Sequence, residues 1–160
     1  MNKAIITRQP KEGRWIAQSG DLNRFLAVSE DTGGAYAQWE AIVPPGGGPL
    51  MHVHSREDES FFVLEGEVVF QVGETRQVAA AGTYVNLPIG VPHCFRNESA
   101  SVARLLITVV PAGLEGLFFE SGTEVQPGTT DAPPPAPGES DRIRSAAARY
   151  GVRLLPPGGH

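Results

Sequence analysis

Residues 46–66 read GGGPLMHVHSREDESFFVLEG, and the fold turns on how this stretch is read. His52 and His54 stand one residue apart, and three consecutive acids, Glu57, Asp58 and Glu59, follow them. On an extended strand, residues two apart point to the same face, so both imidazoles aim at one point. Neutral imidazole is the commonest protein ligand for zinc, copper, iron and nickel, and a carboxylate completes a site for a borderline or hard divalent ion. A third histidine, His93, opens a second strand-like run that ends at Asn97. Together these residues predict a three-histidine, one-carboxylate metal centre inside a β-barrel.

Outward from this stretch the chain alternates short β-forming runs with turn signals. On the N-terminal side, Gly13 to Gln18 and Leu22 to Ser29 read as strands about the turn Ser19-Gly20-Asp21. Asp31 to Gly34 reads as a further turn. Ala35 to Val43 then runs extended, with Tyr36 and Trp39 on opposite faces, until the Pro/Gly run Pro44 to Pro49 forces a corner. On the other side, Glu59 to Leu64, Glu67 to Val72, Thr75 to Ala79, Thr83 to Leu87, His93 to Asn97 and the most apolar run, Val102 to Val110, complete the pattern. Beyond Pro111 the period changes: Leu114, Leu117 and Phe118 fit one face of a short helix, with Phe118 and Phe119 packing over the barrel. Pro127 to Gly138 reads as an extended crossing or loop. Ser140 or Asp141 is expected to cap a helix to Tyr150, stopped by Gly151, with a frayed tail from Pro156 to a solvated His160. The expected organisation is an N-terminal arm (1–12), a barrel (13–111) and an extension (112–160).

A chain of 160 residues is long enough for one buried core, and its 19 glycines and 14 prolines lie between apolar runs, as in an all-β protein with many turns. The net charge of −5 and the absence of a long basic run argue against nucleic acid or an anionic membrane as a partner. The single amphipathic helix after the loop does not make a helix-turn-helix. One cysteine, Cys94, permits no internal disulfide and fits a reducing, cytoplasmic setting. The apolar run Ala4 to Ile6 is too short for a signal-peptide core, and no stretch approaches a membrane span.

The spacing itself is specific. Gly46 is followed after five residues by His52, after one by His54, after four by Glu59 and after six by Gly66. Gly82 is followed after five by Pro88, after one by Gly90, after two by His93 and after three by Asn97. These two runs resemble the paired signature motifs of the cupin superfamily. The tail Tyr150 to Leu155, with the flanking strands, resembles small single-domain cupins related to quercetin dioxygenase. The resemblance implies an all-β double-stranded β-helix, or jelly-roll, barrel with one or two short C-terminal helices. It implies that His52, His54, Glu59 and His93 ligate one divalent transition metal ion per chain, among Fe, Mn, Ni, Co, Cu and Zn. It also implies a small-molecule substrate and a homodimer.

The family's spacing also admits Asp58 as the acidic ligand. Glu59 is preferred because it stands six residues before Gly66 and shares strand phase with Phe61 and Val63. Asp58 is then expected to point outward and Glu57 into solvent. Gly46, Gly66, Gly82 and Gly90 are read as turn residues with positive φ. Cys94 is read as a buried, inert thiol on the face opposite His93. Tyr36, Gln38, Trp39, Phe61 and Phe95 are the candidate pocket residues. The activity expected is a metal-dependent dioxygenase of an aromatic or flavonol-like molecule, with Glu59 as the base. The alternatives are a non-catalytic metal- or small-molecule-binding cupin, and a cupin isomerase or decarboxylase.

Overall fold

In the computed structural model, which describes residues 4–156, the strands begin with β1 (Trp15–Gln18) and β2 (Asp21–Ala27). A one-turn helix α1 (Ser29–Thr32) precedes β3 (Ala37–Val43), β4 (His52–His54), β5 (Asp58–Glu65) and β6 (Glu67–Val72). Then come β7 (Thr75–Ala80), β8 (Tyr84–Leu87), β9 (His93–Arg96) and β10 (Ala103–Val110). The C-terminal part holds α2 (Glu115–Ser121), β11 (Thr123–Glu124), α3 (Glu139–Ala147), a 3₁₀ turn (Ala148–Tyr150) and β12 (Val152–Leu154). They form two antiparallel sheets, β11-β1-β2-β3-β10-β5-β8 and β12-β4-β9-β6-β7. This is the expected jelly-roll.

Alternation along the strands makes the core. Ala103, Leu105, Ile107 and Val109 of β10 point inward, and so do Glu59, Phe61 and Val63 of β5 and Val68 and Phe70 of β6. The one-residue offset places Gln38, paired through its amide with Thr108, on the outer face of the same β3 that buries Trp39. The Pro44–Pro49 corner is stapled to the end of β9. Gly46 N–H donates to Asn97 O (2.7 Å), Asn97 N–H to Gly47 O (3.0 Å), and the fully buried Asn97 amide to Val43 O (2.9 Å) and Ser101 O (2.7 Å). Gly46, Gly66, Gly82 and Gly90 all have positive φ, as read from the sequence.

Two local expectations are corrected. The turn at Asp31–Gly34 starts earlier, as α1: β2 stops at Ala27, and the Asp31 carboxylate accepts from Val28 N–H (3.1 Å) to close the turn, with Gly33 at φ 64° ending it. Neither Ser140 nor Asp141 caps the last helix. The helix starts earlier, at Glu139, with Gly138 in a left-handed conformation at the N-cap position, and the Glu139 carboxylate accepts from Ser19 N–H (2.7 Å). Past Gly151, β12 pairs antiparallel with β4, Val152 opposite His54 and Leu154 opposite His52. The N-terminal arm has no strand or helix in residues 4–12, yet Arg24 holds the carbonyls of Gln9 and Glu12, and Arg8 pairs with Asp31 (2.9 Å). The expectation for the tail beyond Pro156, His160 included, lies outside the described residues.

The extension closes one end of the barrel. Phe118 packs on Phe25 and Trp39 (ring centroids 5.6 and 5.4 Å), Phe119 packs on Phe25 (4.8 Å), and α3 lies against α2. No helix among the described residues is long and apolar enough to cross a membrane.

Candidate metal centre

Three strands and both sheets build the site. β4 presents His52 and His54 on one face, as the period of two demands, and β9 places His93 directly opposite His52. Glu59 reaches in from β5 in the other sheet, in line with Phe61 and Val63. One donor atom from each of the four side chains lies within 4.8 Å of all the others, and all four residues are buried. His52 Nε2 and His54 Nε2 are 3.1 Å apart, and Glu59 Oε2 is 3.0 Å from both His54 Nε2 and His93 Nε2.

The other ring nitrogens decide what this cluster can hold. His52 Nδ1 faces Leu50 O at 2.7 Å, His93 Nδ1 faces Val91 O at 2.9 Å, and His54 Nδ1 faces the Glu57 carboxylate at 3.5 Å. A carbonyl oxygen can only accept, so Nδ1 of His52 and of His93 carries the proton and their Nε2 atoms turn lone pairs inward, while His54 Nδ1 and the Glu57 oxygen near it make no hydrogen bond. Four electron-rich atoms then face one another within 4.8 Å inside the protein, three of the pairs at 3.0–3.1 Å, an arrangement that repels unless a cation neutralises it. Donors about 2.1 Å from one ion and at right angles would lie about 3.0 Å apart, so the donor set fits a single transition metal ion. Calcium, which takes six to eight oxygens, fits poorly.

With no metal, a proton is the available cation, and the titration follows from that. Burial opposes charge on His54, but the carboxylates of Glu57 and Glu59 overcome it and hold its pKa up at about 9. Burial, and then the neighbouring His93, push His52 down to about 4. Burial would raise Glu59, yet hydrogen bonds from His54 and His93 prevail and hold it well below the ordinary carboxylate range.

Among the sequence candidates, Trp39, Phe61 and Phe95 line the cavity beside the cluster. Tyr36 and Gln38 do not. Tyr36 is exposed before β3 begins, and strand alternation turns Gln38 outward, where both border a separate groove beside the N-terminal arm. Asp58 is exposed as expected and accepts from Ile89 N–H (2.9 Å). Glu57 overturns the expectation of solvent: it is 3 % exposed, because the bend at Ser55 and Arg56 folds it back under His54. Cys94 is half-buried rather than buried, and burial pushes its thiol up. The cavity also takes in Asp21 and Asn23, which the sequence reading left in a turn and a strand. Their signal was strand phase, for Asp21, Asn23 and Phe25 alternate onto one buried face.

A family model described as the cupin domain matches residues 39–110, the span from β3 to β10 that carries all four cluster residues. Over that span the chain resembles cupin domains. The chain is 28 % identical over 148 residues to the quercetin 2,3-dioxygenase of Aspergillus japonicus, covering 87 % of this chain and 41 % of that one. To the quercetin 2,3-dioxygenase of Bacillus subtilis it is 27 % identical over 139 residues, covering 86 % and 36 %. The chain therefore spans less than half the length of either dioxygenase. Among solved structures, a predicted oxalate decarboxylase from Thermotoga maritima superposes with a TM-score of 0.61 at 19 % identity, covering 66 % of this chain and 99 % of the other. At that identity the likeness is one of fold.

Proposed function

We propose that this cupin is a metal-dependent dioxygenase of a small aromatic molecule bearing an ionisable hydroxyl. The observation that carries the reading is the inward convergence of three Nε2 lone pairs and Glu59 in a cavity walled by Trp39, Phe61, Phe95, Ile107 and Phe118. The likeness to two quercetin 2,3-dioxygenases supports the oxidative choice over isomerisation or decarboxylation.

His52, His54, Glu59 and His93 would hold the ion, which supplies Lewis acidity to a substrate hydroxyl and an open position beside it. Leu50 O and Val91 O fix the His52 and His93 ring orientations, and Glu57 lies beside His54 Nδ1. Glu59 would serve as the base, its carboxylate loosening from the ion to take the hydroxyl proton. The apolar walls exclude water from the deprotonated substrate. Dioxygen is the oxidant, and both of its atoms enter the product.

The test is anaerobic reconstitution with Fe(II), Mn(II), Co(II) or Ni(II), then oxygen uptake with catechols and enolisable ketones. Uptake that needs both metal and substrate, and that Glu59→Gln and His93→Ala abolish, is the expected result. Metal-dependent binding with no uptake for any metal would make the protein a binding cupin.

A further inference from the structure

Helix α3 forms part of the rim of the cavity beside the cluster. Its residues Ser140, Ile143 and Arg144 line the same cavity as His52, His54 and Glu59. They stand at i, i+3 and i+4, on one side of the helix, and the next residue on that side, Ala147, is 3 % exposed. That side therefore lies against the barrel, with Ile143 half-buried and Ser140 and Arg144 at its exposed border. Among the described residues that line the cavity, Arg144 is the sole Lys or Arg.

Little in the protein occupies the Arg144 guanidinium. The one ion pair it makes among the described residues is with Asp141, one turn back, at 3.9 Å, and both side chains stand mostly in solvent, at 68 % and 86 % exposure. Such a pair contributes little and yields to a better-placed anion. The neighbouring arginines are engaged: Arg142 donates to Pro137 O (3.0 Å), and Arg149 to Ser145 O (3.1 Å) and to Glu120. The surrounding sequence adds to the field, for residues 142–160 hold four arginines and no acid in a chain of net charge −5. At the cluster, three neutral imidazoles and one carboxylate around a divalent ion sum to a net positive charge. A cavity with a buried cation and a guanidinium on its rim is matched to an anion.

We propose that Arg144 determines specificity at the cavity mouth, and that the substrate is a small aromatic acid whose carboxylate pairs with this guanidinium. The assignment deepens the metal-dependent reading above and rests on it for the cavity being the substrate site. Guanidinium and carboxylate match as planar forks, so the pair orients the acid as well as attracting it. Because the rim is solvated, the gain in affinity is modest and falls with salt.

The test titrates three acids of increasing reach, 3,4-dihydroxybenzoate, 3,4-dihydroxyphenylacetate and 3,4-dihydroxycinnamate, and the primary amide of each, calorimetrically into the zinc-loaded protein, in which no redox turnover intervenes. At least one acid should bind the wild type about five-fold more tightly than its amide, by a margin that shrinks as sodium chloride is raised. Arg144→Gln should erase the margin, and Arg144→Lys, which keeps the charge without the fork, should keep part of it. Arg153→Gln, which removes an arginine of the same terminal segment that does not line the cavity, should leave it unchanged. No margin for any pair in the wild type, a margin that survives in Arg144→Gln, or one that Arg153→Gln reduces as much, overturns the role of Arg144 and leaves the metal reading standing. A margin that Arg144→Gln erases but that is equal with and without zinc overturns the metal reading alone. No binding of any probe overturns both.

Discussion

Glu57 sits 3.5 Å from His54 Nδ1 with almost no solvent contact. A carboxylate at that distance favours the tautomer with the proton on Nδ1, which turns the His54 Nε2 lone pair inward. Glu57→Gln should therefore lower metal affinity about ten-fold with the fold intact, measured by competition against a chelating dye. The His54 spacing alone did not reveal this, because the three residues between them bend and strand periodicity does not carry across a bend. Asp21 supplies a second residue-scale prediction, in stability. Its folded pKa of about 7 lies above the ordinary 3.8, so the folded state holds the proton over the window between them. That contribution is fully present below pH 3.8 and is lost as the pH rises towards 7. Over that interval the wild type should lose up to roughly 4 kcal/mol that Asp21→Asn does not lose, read as the difference between their urea midpoints at each pH.

At the scale of elements, the Pro44–Pro49 corner is the piece that sets β4 against β9. Gly48 has φ 124°, and a Cβ there would collide with the backbone carbonyl of Phe95, two residues past His93. Gly48→Ala should cost about 3 kcal/mol of unfolding free energy, by strain and by the shift forced on β9. Urea denaturation measures the first effect, and a weakened metal affinity in the folded fraction would report the second. The corner was legible in the sequence, since a run of Pro and Gly cannot continue a ladder. β12 was not legible as a strand. Its three residues, Val-Arg-Leu, carry too little pattern to distinguish a strand from a helix end, and only the free edge of β4 gives them a partner.

For the whole molecule, the four donors join two sheets, so filling the site clamps one sheet to the other. Metal present at a hundred times its dissociation constant should raise the melting temperature by roughly 5–10 °C relative to chelator-treated protein, and His93→Ala should lose most of the shift, as scanning calorimetry would show. The sequence alone determined the barrel, its turns and the identity of the four-residue cluster, because strand alternation, positive-φ glycines and the spacing of ligand-type side chains are local properties of the chain. Only the tertiary structure decided that Glu57 folds under His54, that Gln38 and Tyr36 face away, and that Asp21 and Asn23 come to line the cavity. Each of those depends on which distant segment comes to lie alongside, and no local pattern of residues records that.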